Sequence, residues 1–241
     1  SSDEVAMNDG SFSRFAALEH LPAEEEVFDC CISAMHGFSA NGMIVHNCGE
    51  QALGPYECCC LGSVNLARHL HFEEDAAFGR LLWDRLAETI RIAVRFLDDV
   101  ISANVLPDPK LRDASLRTRR IGLWFTGLAD VLCALGLRYG SALCVDFVGQ
   151  LAEFFQFHAM SASAALALER GAFPAVTQSV FAPGNVTWAP PVTPRPPVFQ
   201  AGRPPFNWVE LQGAINHHGM RNAAVTTVAP TGTVSTVAGV E

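Results

Sequence analysis

Three positions in one short run carry side chains that can do chemistry together: Cys48, Glu50 and Cys59. The first thiol stands two residues from a carboxylate, and a further thiol follows eleven residues on. That set suits radical reduction of a sugar. One thiyl radical takes a hydrogen atom, a carboxylate handles the proton of the neighbouring hydroxyl, and further thiols supply electrons by closing a disulfide. Immediately upstream, His46-Asn47-Cys48 is a second reactive arrangement. The Asn amide can attack its own backbone carbonyl, forming a succinimide and breaking the chain. His46 can donate a proton or hydrogen bond to that carbonyl, and Cys48 can accept an acyl group as nucleophile.

A third group lies far downstream, in Ala229-Pro230-Thr231-Gly232-Thr233-Val234-Ser235. Gly232 lets backbone N–H groups converge, and Thr231, Thr233 and Ser235 add hydroxyl donors for a diphosphate or triphosphate. The Cys58-Cys59-Cys60 triplet, with His36, His46 or the pair His217-His218, raises a metal-binding alternative. Zinc ligands are usually spaced by two to four residues so that they converge. Consecutive cysteines do this poorly, so no metal ligand is assigned. Cys133 and Cys144 sit in apolar helical surroundings and are expected to be buried, inert thiols. His69 and His71 are expected at the surface.

The elements that must position these groups follow from periodicity. Two β-type runs, 27–32 and 43–45, flank the turn signal Asn41-Gly42. Leu82, Leu86, Ile90, Ala93, Val94, Leu97 and Ile101 recur at helical spacing, which predicts a helix ending by Pro107. Ile121–Leu135 and Val145–Leu168 read as further helices, the second stopped by Gly171. Residues 183–205 hold eight prolines and read as an exposed loop. The β-branched run 223–228 reads as a strand leading into a turn at 229–233. The acidic stretch 1–26 reads as a linker.

The chain is globular in composition, 49% hydrophobic and 17% charged, with no apolar run long enough to span a bilayer. Its net charge of −9 argues against a nucleic-acid partner, and no membrane partner is expected. The start Ser1-Ser2-Asp3-Glu4 has neither an initiator Met nor the features of a signal peptide. With eight cysteines and no secretory signal, a reducing, cytoplasmic setting is expected.

Val27-Phe28-Asp29, His36-Gly37-Phe38, Ala40-Asn41-Gly42 and Val45-His46-Asn47-Cys48 together are similar to the two C-terminal blocks of inteins. The resemblance implies that Asp29 and His36 assist acyl transfer and Asn cyclisation. It makes His46 the penultimate His, Asn47 the cyclising residue and Cys48 the first residue after the intein. Residues 1–47 are then the last strands of an all-β intein (HINT) fold, whose N-terminal half would be a missing partner in splicing.

Cys48-Gly49-Glu50-Gln51 followed by Cys59-Cys60-Leu61-Gly62-Ser63-Val64-Asn65 resembles the active-site loop of ribonucleotide reductase large subunits. The likeness continues through Trp83–Asp98, through Arg119–Asp130 and through Arg221–Ser235. It implies an α/β fold for 48–241, part of a ten-stranded α/β barrel. It implies a thiyl radical at Cys48, acid/base work at Glu50 and a redox-active thiol at Cys59. Substrate phosphate would be bound by Thr231, Gly232, Thr233, Val234 and Ser235. Cys58 and Cys60 stand where that family usually has Ser and Asn. The family's Asn-Pro before the radical Cys is replaced here by His46-Asn47. The resemblance further implies a ribonucleotide substrate, a thioredoxin-like reductant and adenosylcobalamin, with a class relying on a separate radical-generating subunit as the alternative. The partner of Cys59 and the remaining barrel strands would lie outside this chain, which alone is expected to be inactive.

Overall fold

The computed structural model describes residues 4–6, 12–14, 37–40, 43–46, 50–51, 53–191 and 197–240. The chain divides into two compact units, Ser1–Ala52 and Leu53–Glu241. In the first, β1 (Glu4–Ala6) pairs antiparallel with β2 (Phe12–Arg14), where a linker was expected. β3 (Gly37–Ala40) pairs antiparallel with β4 (Met43–His46), Gly37 opposite His46 and Ala40 opposite Met43. The two strands pair on either side of Asn41-Gly42, the position where the sequence predicts a turn. The run expected at 27–32 lies outside the described residues.

The second unit is built on parallel strands. β5 (Cys60–Asn65) lies beside β8 (Ile121–Thr126), from Cys60 opposite Ile121 to Asn65 opposite Thr126. Between them run a short antiparallel pair, β6 (Leu70–His71) with β7 (Arg80–Leu81), then α1 (Trp83–Ala103) and α2 (Pro109–Thr118). Asp108 caps α2 by accepting from Lys110 N at 2.8 Å, with Pro109 pre-set in the first turn. On the other side of β8, Ile121 N donates to Ala224 O and Leu123 N to Val225 O, with a parallel bridge from Leu123 to Thr226. Residues 224–227 thus act as a third, irregular parallel strand, as the β-branched run predicts.

After β8 come α3 (Leu128–Ala134), α4 (Ala142–Arg170), α5 (Trp208–His218) and α6 (Gly232–Ala238). The core sits between the sheet and α1 and α4. Leu86, Ile90, Val94 and Leu97 of α1 are buried together with Phe147, Leu151, Phe154 and Phe155 of α4. Full burial of each such side chain contributes roughly 1.5–3 kcal/mol. Gly171 closes α4 at φ 83°, as expected. Among the described residues no helix is long and apolar enough to cross a membrane.

Three expectations are corrected. Ile121–Thr126 is a strand, not the start of a helix. All but one of its residues are buried, and a strand covered on both faces loses the alternation that would distinguish it from a buried helix. Gly127, at φ 79°, ends it and lets α3 begin. His69 is buried rather than at the surface, its Nδ1 bonded to Asn65 O at 3.0 Å and its Nε2 to Thr89 Oγ1 at 2.8 Å. Cys133 is exposed, whereas Cys144 is buried as expected.

One buried ionic group ties the elements together. Asp98 of α1, fully buried, accepts from Arg119 Nε at 2.8 Å, Arg221 Nε at 3.2 Å and Asn222 Nδ2 at 3.1 Å. Arg170 of α4 reaches the same carboxylate at 3.4 Å. Asn222 also donates to Arg119 O and accepts from Ser163 Oγ of α4. Arg119 and Arg221-Asn222 each lie just before a strand, so this network locks the amino ends of β8 and of the third strand to α1 and α4.

Candidate functional site

The pleat of β5 sorts its side chains. A Cβ on Gly62 would lie 3.2 Å from Leu97 of α1, so Gly62 turns toward the helices and Leu61, Ser63 and Asn65 turn away. Cys59, two residues before Leu61, falls on that second face. Its partner surface is Gly122 of β8. A Cβ there would stand 3.0 Å from Cys59 Sγ and 2.6 Å from Leu61 Cδ2, and closer still to Thr227 Cγ2. Three side chains, two from the Cys59–Leu61 run and one from the strand ending at Thr227, therefore share the space over one bare Cα. Only glycine admits that approach.

Thr227 is buried, and its hydroxyl has no hydrogen-bond partner among the described residues. It ends the third strand and leads directly into the segment that carries Thr231 to Ser235. In that segment Thr231 takes a left-handed backbone, φ 52°, and α6 begins at Gly232. No acidic side chain stands in its first turn. The first N–H groups of a helix have no intrahelical acceptor, so those of Gly232, Thr233 and Val234 are available to an anion. Ser235 Oγ and Thr126 Oγ1, at the end of β8, share a hydrogen bond that fixes α6 to the sheet. Asn65 ends β5, and its Oδ1 is buried without a partner among the described residues, 3.5 Å from where a Cβ on Gly127 would stand. The carboxyl ends of the parallel strands thus gather polar groups beside an open helix start, where α/β sheets bind ligands.

Around the triplet, Cys58 Sγ and Ser115 Oγ of α2 stand 2.6 Å apart. Burial, with Cys58 nearby, raises the Cys60 thiol above its ordinary pKa. Arg120 pairs with Glu57 at 3.1 Å, and Glu57 also accepts from Gly54 N at 2.9 Å. Cys58, Cys60, Ser115 and Arg120 line a cleft of about 360 Å³ that Cys59 shares. Among the described residues, no set of three His, Cys, Asp or Glu side chains is placed to hold a metal ion.

Of the residues singled out in the sequence, Asp29, His36, Asn47 and Cys48 lie outside the described residues. His46 is described only as strand backbone, at the end of β4. Glu50 belongs to the first unit and Cys59 to the second. Within the second unit, the strand ending at Thr227 joins the Cys59 neighbourhood to the Thr231–Ser235 segment. Sequence reasoning missed Thr227 and Asn65. The one available signal was polar side chains within β-type runs, at Ser63, Asn65, Thr226 and Thr227.

The family described as "Ribonucleotide reductase, barrel domain" matches residues 39–241. The chain is 45% identical to a vitamin B12-dependent ribonucleoside-diphosphate reductase of Mycobacterium tuberculosis, over 92% of this chain and 29% of that protein. It is 36% identical to a protein of the same description from Thermoplasma acidophilum, over 80% of this chain and 20% of that one. It is 33% identical to the ribonucleoside-diphosphate reductase subunit alpha of Chlamydia pneumoniae, over 82% and 18%. The chain spans less than a third of the length of these curated relatives.

Proposed function

This chain belongs to the ribonucleotide reductase barrel family, and we propose that it is part of the catalytic barrel of an adenosylcobalamin-dependent enzyme reducing ribonucleoside di- or triphosphates, interrupted by the C-terminal end of an intein. The observation that carries the reductase reading is the join of Cys59, over Gly122, to the anion-receptive segment Thr231–Ser235 through Thr227. A redox thiol and a phosphate site on one sheet face suit reduction of a phosphorylated sugar. In this reading Cys48 carries the thiyl radical and Glu50 takes the proton of the neighbouring hydroxyl. Cys59 and a thiol upstream of this chain supply two electrons by forming a disulfide, which a thioredoxin-like reductant reopens.

Adenosylcobalamin, when bound to the complete enzyme, supplies the radical. The clefts beside α4 and beside the cysteine triplet, about 360–390 Å³ each, suit a drug-sized ligand rather than a corrin. No described residue is assigned to it. The higher identity to the B12-dependent relatives than to a subunit alpha supports this class over one needing a second subunit. The test is deoxyribonucleotide formation by the complete protein with adenosylcobalamin and a dithiol reductant alone. Product formation supports the reading; a strict need for a second subunit overturns the choice of class.

For splicing, the hairpin β3–β4 delivers His46 at the end of a strand, directly before Asn47-Cys48. That suits a junction at which Asn47 cyclises and Cys48 accepts the upstream chain, with Asp29, His36 and His46 assisting. Cys48 would then serve twice, first as splicing nucleophile and afterwards as radical carrier. A second reading has one observation in its favour. The family match starts at residue 39, and the Mycobacterium relative aligns over 92% of the chain, more than the four fifths or so that 48–241 represents. On that reading, residues 39–47 are reductase chain. Intact mass of the mature protein from the complete reading frame separates the two: loss of residues 1–47 supports splicing, and their retention overturns it.

A further inference from the structure

We propose that the Thr227 hydroxyl is a hydrogen-bond donor to the Cys59 sulfur, positioning that thiol and favouring its thiolate form. The inference rests on the reading of Cys59 as a redox thiol, and it assigns a role to a residue that the sequence motifs do not single out. Thr227 is 4% exposed, and its Oγ1 is buried without a partner. A buried hydroxyl left unpaired destabilises the fold, and Val would fill the same volume without that cost. A partner reached in another rotamer would remove that cost.

The candidate that shares its surroundings is Cys59. Thr227 Cγ2 and Cys59 Sγ already converge on the same point above Gly122. Threonine Oγ1 and Cγ2 exchange places by one χ1 step, a change that strand backbone tolerates. That step carries the hydroxyl over Gly122 to the side of the sulfur. The titratable and charged groups facing the Cys59 cleft are Arg120 and the thiols of Cys58 and Cys60. Arg120 is engaged with Glu57, and Cys58 with Ser115 of α2. Val100, Ile101, Asn104 and Leu106, from α1 and the loop after it, complete the lining with Leu61 and Ser115. Thr227 does not line that cleft; it meets Cys59 over Gly122, with a buried hydroxyl that has no partner among the described residues.

A thiol whose thiolate accepts a hydrogen bond has a lower pKa and is more reactive near neutral pH. The experiment is alkylation of Cys59 by iodoacetamide across pH in the full chain. Cys58→Ser, Cys60→Ser and the exposed Cys133→Ser form the background, and alkylation is read on the Cys59 peptide by mass spectrometry, which separates it from the remaining thiols. Thr227→Val is expected to slow Cys59 alkylation near neutral pH about fivefold and to move the curve to higher pH. Thr227→Ser, which keeps the hydroxyl, is expected to leave the curve where it was. Superimposable curves for Thr227 and Thr227→Val overturn the proposal, and so does an equal loss in both variants, which would assign the effect to packing. Because this reads thiol chemistry and not turnover, it is separate from the reductase reading. A shifted curve together with a Cys59→Ser enzyme that still turns over would keep the hydrogen bond and remove the redox role.

Discussion

Cys59 Sγ rests on the bare Cα of Gly122, 3.0 Å from where a Cβ would stand. The contact explains why the segment Arg119-Arg120-Ile121-Gly122 carries glycine at the strand position that faces the Cys59 thiol. Gly122→Ala forces Cys59, Leu61 and Thr227 apart. Overpacking of this kind is expected to cost about 1–3 kcal/mol. Urea denaturation of Gly122→Ala should show that loss, together with altered Cys59 alkylation. An unchanged denaturation midpoint and alkylation rate would mean that the three side chains do not meet there.

Removing the charge of Asp98 leaves Arg119 buried without its counter-ion. Breaking a buried ion pair from one side costs about 3–5 kcal/mol, so Asp98→Asn should be among the most destabilising single changes in this chain. Arg170→Met should cost less, because Arg170 is partly exposed and also pairs with Asp99. Equal losses for the two variants, measured by urea midpoint at constant m-value, would contradict this ranking.

His69 gives the fold a pH dependence of known sign. Burial lowers its pKa below the ordinary 6.5; the bond to Asn65 O opposes this and the charge of Arg85 adds to it. The folded state therefore binds the proton less readily than the unfolded chain does. The stability His69 contributes is fully present above the unfolded value and is lost as pH falls through it toward the lower folded value. His158, also lowered by burial, acts in the same direction. His69→Gln should flatten the fall in urea midpoint between about pH 7 and 5 without abolishing it. A slope identical to that of the unsubstituted protein would contradict the account.

Much of this was legible in the sequence because chemistry and packing agree there. Leu86, Ile90, Val94 and Leu97 recur at helical spacing and do form the buried stripe of α1. Asn41-Gly42 marks the hairpin that β3 and β4 form. β8 was illegible because both its faces are covered, which erases the period on which such reading depends. His69 was misplaced because a lone His after Ala67-Arg68 carries no sign of Thr89, twenty residues on, which satisfies it. The Asp98 network was visible only as scattered charges in Arg95–Asp98, Arg119-Arg120 and Arg221-Asn222; tertiary structure makes them one group. Thr227 was hidden for the same reason, since the approach of the Cys59–Leu61 run and the Thr227 strand over Gly122 has no signature in either of them.

The most direct test of the reductase assignment is turnover by the complete protein carrying Cys59→Ser, measured as deoxyribonucleotide formed per enzyme with adenosylcobalamin and a dithiol reductant. If Cys59 supplies electrons through a disulfide, the unsubstituted protein makes product repeatedly and Cys59→Ser makes none through that disulfide cycle. Sustained turnover by Cys59→Ser at the unsubstituted rate would contradict the account.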